Sequence, residues 1–342
     1  MIKVFSGKNA NEVWAEIVDH FRERKRFLNQ ESRCGPTKEI LHVGLTITNP
    51  RQRWVTSRFP ALNPAFAIAE VVWIVTGRRD AAFLNAWNSQ LPKFAGTCRE
   101  YHGAYGFRIK KHFKFDQLIR AYEVLRTNPA SRQVVLQIWD PRLDSPNANG
   151  RPVDKDIPCN VLSMLKVRDH RLEWMQIIRS NDLFLGVPYN FVQFTYLQEI
   201  LAGWLRVELG SYNQISDSLH VYETSMNEVL SSKVVRVATN TDALIERKDV
   251  SEHFFKELSE RIHRLASLNT SQVDLASIAN WSRAPIAYRN MLLVMVAEAA
   301  RKKKMLGMAS DAIGACTNPA LVQQWEGWFA RTNTKANLSK AR

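Results

Sequence analysis

A mixed α/β layer followed by a helical extension is the fold class the sequence predicts, on three observations. Segments with period-two alternation and many β-branched residues stand at 39–58, in VLSMLKVR and LEWMQIIRS after Pro158, and in GSYNQISDSLHVYE. Two strongly apolar stretches of helical character, 64–76 and the run from Phe191, lie between them. From about residue 225 onward the pattern is almost wholly helical, in SEHFFKELSERIHRLASL, YRNMLLVMVAEAARKKKM and PALVQQWEGWFART. The expected division is therefore a mixed unit over 1–225 and a helical extension over 226–342. A chain of 342 residues has room for one large core with an appendage.

Residues 10–28 open the chain as an amphipathic helix, with Val13, Trp14, Ile17, Val18 and Phe21 at helical spacing. SRCGPTKE is a polar loop containing Arg33, and 39–58 reads as a strand followed by a turn. In the helix 64–76, Pro64 suits the first turn and Gly77 the stop. Glu70 interrupts that apolar run. A buried carboxylate is costly unless paired or used in chemistry, so Glu70 is either a site residue or a Glu on the exposed edge of its helix. A turn, HGAYG, surrounds Tyr105, and a helix follows over 116–127. QVVLQIWD, Gln133 to Asp140, reads as a fully buried strand with Arg132 at its entrance.

After the Pro/Gly-rich loop PRLDSPNANGRPVDKD, the stretch Asp156 to Asn190 gathers the chemistry. Cys159 stands behind a proline, a hairpin turning at DHR ends in Arg179 and Ser180, and a Gly-Val-Pro-Tyr-Asn turn precedes a long apolar helix. That helix is expected to begin after Asn190 and to aim backbone N–H groups at the site. His220 and Tyr222, two apart on a short strand, share a face. Arg179 and the helix end are expected to lower the Cys159 pKa and make it a nucleophile.

The formal net charge of +14 points to an anionic partner, a phosphorylated small molecule or nucleic acid. Part of it sits in RKKK at 301–304 and KANLSKAR at 335–342, and no recognised nucleic-acid motif accompanies it, which favours the small molecule. The four cysteines, Cys34, Cys98, Cys159 and Cys316, form no CxxC pair, so neither a metal site nor a disulfide framework is expected. The N-terminus lacks a signal-peptide pattern, and the apolar run Met291 to Ala300 contains Glu298 and is far shorter than the roughly 18–20 residues a bilayer crossing needs. A cytoplasmic protein without a membrane partner is expected.

Taken together, PC before a hairpin, RSxDxFLGxPxN, a long helix and SLHVYE resemble the thymidylate synthase superfamily, which includes the pyrimidine-nucleotide hydroxymethylases. The resemblance spans roughly residues 11–225. It implies a large bent mixed sheet with flanking helices, whose back forms a homodimer interface with a shared site. It also implies a pyrimidine nucleoside monophosphate as substrate and 5,10-methylenetetrahydrofolate as one-carbon donor. Cys159 would add to C6 of the ring so that C5 becomes the carbon nucleophile. Arg33, Arg179 and Ser180 would hold the 5′-phosphate, with Arg132 reaching the phosphate in the other subunit. His220 and Tyr222 would meet the sugar hydroxyl, Glu70 and Tyr105 would manage water and protons, and Asp182, Leu185, Gly186 and Tyr189 would face the folate.

Asn190 would read the base edge. Its amide offers both a donor and an acceptor and so matches N3–H and O4 of uracil, whereas the deoxycytidylate hydroxymethylases carry aspartate there.

Several positions depart from the synthase pattern. Asn160 replaces the usual His after the cysteine, Asp156 a leucine, and Gln133 the second phosphate arginine. LPKFAGTC, Leu91 to Cys98, replaces a Trp-rich segment, and the helical extension stands where the family has a short closing tail. Asp156 and Asn160 are candidates for activating water. Two outcomes follow: hydride delivery to give methyl on a uracil nucleotide such as deoxyuridylate, named first because Asn190 fits the synthase substrate, or water attack to give hydroxymethyl on a uracil or cytosine nucleotide, ribo or deoxyribo. A catalytically silent relative that binds nucleotide or nucleic acid is the third reading.

Overall fold

The computed structural model describes residues 2–23, 27–267 and 271–340. Among the described residues eight strands make one mixed sheet: β1 (Lys3–Gly7), β2 (Leu28–Gln30), β3 (Thr37–Ile47), β4 (Val135–Gln137), β5 (Asn160–Arg168), β6 (Arg171–Ile178), β7 (Asn181–Asp182) and β8 (Glu208–Tyr222). The main order is β1-β3-β8-β6-β5-β4, with β2 on β3 and β7 on β8. β3 runs antiparallel to β8, and β8 parallel to β6. The β5–β6 hairpin turns through Asp169 and His170, both at positive φ, the geometry a two-residue hairpin loop requires. Register shifts at Asn160/Leu162 and Leu172/Trp174 bend the strands beside the cysteine and near the hairpin turn.

Alternation decides which face is covered. Val43, Leu45, Leu165, Leu172, Trp174 and Tyr212 are buried on one face, while Met164, Met175, Ile177 and Ile215 on the other remain half-buried. Two helices dominate the buried layer. Pro64–Val75 is capped by the Asn63 side chain, which accepts from the Phe66 N–H, and stops at Gly77 with φ of 64°. All of its residues except Glu70 are buried. Val187–Leu205 is buried almost all round, its Asn190, Gln193, Gln198 and Glu199 included, which a helix can be only when packed on every side. Helices Lys248–Leu265, Ile286–Lys302 and Pro319–Lys340 supply that packing for Pro64–Val75, and Lys248–Leu265 also packs on Val187–Leu205.

Four expectations need correction. The opening helix ends at Arg22, residues 24–26 lie outside the described residues, and Leu28 already belongs to β2. β1 had no expected counterpart. Of Gln133–Asp140 only Val135–Gln137 pairs as a strand, at the end of the sheet, so Val135 is 44% exposed rather than buried. The final strand is not short: β8 has 15 residues and pairs on both sides. The long helix begins at Val187, with Pro188 in its first turn, so Asn190 lies within it and its N–H bonds to the Gly186 carbonyl. Side chains of the basic tail, 335–342, lie outside the described residues. Among the described residues no helix is long and apolar enough to cross a membrane.

Candidate active site

The ends of β5, β6 and β8, β7 and the first turns of Val187–Leu205 converge on a cavity of about 370 Å³. Cys159 enters it from the loop before β5. Its carbonyl accepts from the Arg179 N–H at 2.9 Å, which ties the cysteine to the end of β6. The loop behind is held closely: a Cβ on Gly103 would come within 2.7 Å of the Asp156 carbonyl oxygen, and the Gly103 N–H donates to Asp156 Oδ2 at 2.8 Å.

The expected lowering of the Cys159 pKa is not what the environment produces. Burial pushes the thiol up, and Arg179 only partly offsets it. The reason is geometric. Arg179 Nε and Nη2 donate to the carbonyls of Pro158 and Ile157 at 3.0 and 3.3 Å, and the guanidinium lies over the Trp139 ring. Arg33 likewise spends donors on backbone, on Lys155 and Phe94 carbonyls, while lining the cavity. Ser180 lines it too. Arg179 and Arg132 do not: Arg179 stays turned to the carbonyls beside the cysteine, and Arg132 is exposed ahead of β4.

Two carboxyls are set for different work. Glu70 turns into the cavity beside Gln193; burial pushes its carboxyl up to about 8, against the lowering influence of Gln193, and its Oε2 is sealed from solvent with no partner among the described residues. Its helix edge is thus the cavity side, not the protein surface. Asp182, on β7 opposite His220, accepts from the N–H groups of Phe184 and Leu185 through Oδ1, at 2.7 and 3.3 Å, while Oδ2 is buried without a partner among the described residues. Burial raises Asp182 and lowers His220, although each favours the other's charge. Asp156 also faces the cavity, its carboxyl raised chiefly by burial.

His220 and Tyr222 stack edge to face at 5.3 Å between centroids. Tyr105 is half-buried in the cavity wall, and desolvation there raises its hydroxyl pKa although Asn160 partly offsets the rise. Asn160 Nδ2 donates to Asn190 Oδ1 at 3.4 Å, and Asn190 Nδ2 to Asn181 Oδ1 at 3.0 Å. Leu185, Gly186 and Tyr189 form one wall. Gly186 is required there, since a Cβ would lie 2.6 Å from Asn181 Oδ1. Burial holds the Tyr189 phenol up to about 12.

Sequence reasoning missed Asn181, Gln193 and Gly103. Asn181 sits inside the RSND string, and Gln193 lies three residues past Asn190 on the same helix, so spacing could have found both. The LPKFA replacement folds as a short helix, Leu91–Ala95, and Leu91, Phe94 and Ala95 line the cavity beside Phe66 and Trp73.

A thiol, buried carboxyls and an oriented amide in one partly apolar cavity suit covalent chemistry on a flat heterocycle. A family model described as thymidylate synthase matches residues 45–263. A deoxyuridylate hydroxymethyltransferase of Bacillus phage SP01 is 32% identical over 244 residues, covering 68% of this chain and 62% of that protein. One of Pseudomonas phage M6 is 32% identical over 231 residues, 67% of this chain and 64% of its own length. A thymidylate synthase of Clostridium beijerinckii is 30% identical over 179 residues, 49% and 63% of the two chains. The chain thus spans less than two thirds of the length of these relatives. The family match covers well over half of its residues, and the chain belongs to the thymidylate synthase family.

Proposed function

We propose that this chain transfers a one-carbon unit from methylenetetrahydrofolate to C5 of deoxyuridylate and finishes the product as the hydroxymethyl derivative. The observation that carries the reading is the presence in one cavity of Cys159, the Asn190 amide and the partnerless Asp182 Oδ2. Methylenetetrahydrofolate supplies carbon at the oxidation level of formaldehyde. The buried Asp182 oxygen and the Leu185, Gly186 and Tyr189 wall suit its flat, hydrogen-bonding ring.

In this mechanism the Cys159 thiolate adds to C6, and the electron pair passes to C5, with Tyr105 and Glu70 near the O4 side. The raised pKa of Glu70 keeps it protonated at neutral pH, able to donate as charge develops on the oxygen. After the carbon is attached, C5 would lose its proton and the carbon–nitrogen bond to the departing tetrahydrofolate would break, leaving an exocyclic methylene. Water would then add to that carbon and give its proton to Asp156, and the electron pair returning from the ring enolate would break the C6–S bond and release the thiolate. Arg33, Arg179 and Ser180 are assigned to the phosphate, Arg33 and Arg179 turning from the backbone carbonyls they hold. His220 and Tyr222 are assigned to the sugar.

Two observations support the hydroxymethyl ending: the cavity-facing Asp156, and relatives named deoxyuridylate hydroxymethyltransferase. Methyl formation is the second reading, favoured by the apolar wall of Phe66, Trp73, Leu91 and Phe94, which would shield the methylene from water. A homodimer belongs to the same proposal, with Arg132 serving the neighbouring site. The half-exposed apolar row of Met175, Ile177 and Ile215 supports it. Residues 1–225 would form the catalytic unit and 226–342 a helical cover. Release of tritium from C5-labelled deoxyuridylate tests the adduct: Cys159→Ala should abolish it, and release at the native rate would overturn the proposal.

A further inference from the structure

Asn190 does not stand alone at the cavity. It is the middle link of a chain of buried side-chain amides whose direction is imposed from one end. The Trp174 indole N–H can only donate, and it donates to Gln176 Oε1 at 3.2 Å, as the Ser163 hydroxyl does at 2.6 Å. Gln176 must therefore turn its Nε2 to Asn160 Oδ1, at 2.9 Å. Asn160 then has only its Nδ2 left for Asn190 Oδ1, at 3.4 Å. Asn190 in turn offers Nδ2 to Asn181 Oδ1, at 3.0 Å, and Asn181 Nδ2 ends on the Ser216 hydroxyl oxygen, at 3.1 Å.

Gln176 and Asn160 are fully buried, so water cannot substitute for a lost partner in their link, and Asn181 and Asn190 are only 2% and 7% exposed where they line the cavity. The far end is permissive, because a serine hydroxyl can donate as well as accept. The near end is not.

Each amide group has two N–H bonds and two lone pairs, so after these bonds Asn190 keeps one donor and one acceptor. The chain fixes their order. For a ring held in one pose, N–H toward O4 and C=O toward N3–H matches uracil. The reversed amide would match the amino group and bare N3 of cytosine instead. We propose that Trp174, Gln176 and Asn160 are positioning residues for base specificity: they lock the Asn190 amide in the order that accepts uracil and rejects cytosine. This rests on the pyrimidine-nucleotide reading above.

The same chemical change on either side of Asn190 then has opposite consequences. In Asn160→Asp the carboxylate accepts from Gln176 and also demands a donor from Asn190. Asn190 turns over, Asn181 follows, and Ser216 donates. In Asn181→Asp the new carboxylate accepts from Asn190 as the native oxygen does, and the order holds. Gln176→Glu, at a residue outside the cavity wall, reverses the chain at one remove, because the second carboxylate oxygen takes a donor from Asn160.

The test is equilibrium binding of deoxyuridylate and deoxycytidylate to the full chain and these three variants, without folate, at fixed pH and salt. The native chain should prefer deoxyuridylate by about 100-fold, since a site left with mismatched buried polar groups rejects its ligand strongly. Asn160→Asp and Gln176→Glu should each move that ratio toward cytosine by about tenfold or more, and Asn181→Asp should leave it within about threefold. A merely structural role would weaken both nucleotides alike. If the native chain prefers deoxyuridylate and the two reversing variants keep its ratio, the locking mechanism is wrong and the site assignment stands. If the native chain binds neither nucleotide, the site assignment itself falls and the inference with it.

Discussion

Arg179 reaches around Cys159 rather than to it: its N–H holds the cysteine carbonyl, and its guanidinium holds the carbonyls of the two residues before it. The buried thiol consequently sits above its ordinary pKa in the free protein, and phosphate binding that turns Arg179 would change the balance. Alkylation of Cys159 by iodoacetamide should therefore be slow at neutral pH and rise about tenfold per pH unit, up to a midpoint above that of an ordinary thiol. Arg179→Ala, which removes the lowering influence, should slow it further. Faster alkylation in that variant would contradict the electrostatic role.

Glu70 gives a pH test with a defined sign. Its folded-state pKa of about 8 lies above its ordinary 4.5, so the protonated form dominates at neutral pH. Transfer should fall about tenfold per pH unit above about 8, and Glu70→Gln should lose that limb along with much of the rate. Linkage predicts the stability trend. The unfolded chain releases this proton near 4.5 and the folded chain near 8, so stability falls as pH rises between them and levels off above about 8. The stability of Glu70→Gln should lack that decline, as read from urea midpoints across the same range.

A close approach of backbone positions Tyr105 against the Glu70 helix. A Cβ on Gly106 would lie 2.2 Å from the Ile74 carbonyl oxygen and 2.5 Å from Ile74 Cα. Gly106→Ala should cost about 1–3 kcal/mol by overpacking and lower the thermal midpoint. A native midpoint would show that the helix yields without strain.

The ion pair of Arg53 with Glu199 anchors the segment after β3 to the middle of Val187–Leu205, with both side chains buried and the guanidinium over the Tyr196 ring. Glu199 is held below its ordinary 4.5 by Arg53 and Arg51 against the cost of burial. Its contribution is present above pH 4.5 and is lost as pH falls through the lowered folded value. Glu199→Ala leaves Arg53 buried without its partner, and should cost about 3–5 kcal/mol in urea unfolding near neutral pH.

What the sequence disclosed depended on whether a signal was local. The hairpin of β5 and β6 was legible because its alternation and turn are contiguous, and Glu70 because one carboxylate in an apolar run is a local anomaly. The edge position of Val135 was not, since a strand's neighbours are set by distant pairing. The start of the long helix was misread by four residues because Gly-Val-Pro-Tyr-Asn has the composition of a turn, and Pro188 in a first helical turn looks the same on paper. Gln193 and Asn181 went unnoticed as single polar residues, whose meaning comes from partners across the fold. Arg179 was identified as a neighbour of the cysteine, but the direction of its guanidinium is a matter of three-dimensional geometry.

The most direct measurement is mass spectrometry of deoxyuridylate after incubation with the chain and methylenetetrahydrofolate. The expected product is heavier by one formaldehyde unit, the mass of a hydroxymethyl group replacing hydrogen, and Cys159→Ala should form none of it. A gain of only one methylene would replace the hydroxymethyl ending with methyl transfer, and an unchanged nucleotide under conditions where it binds would contradict one-carbon transfer altogether.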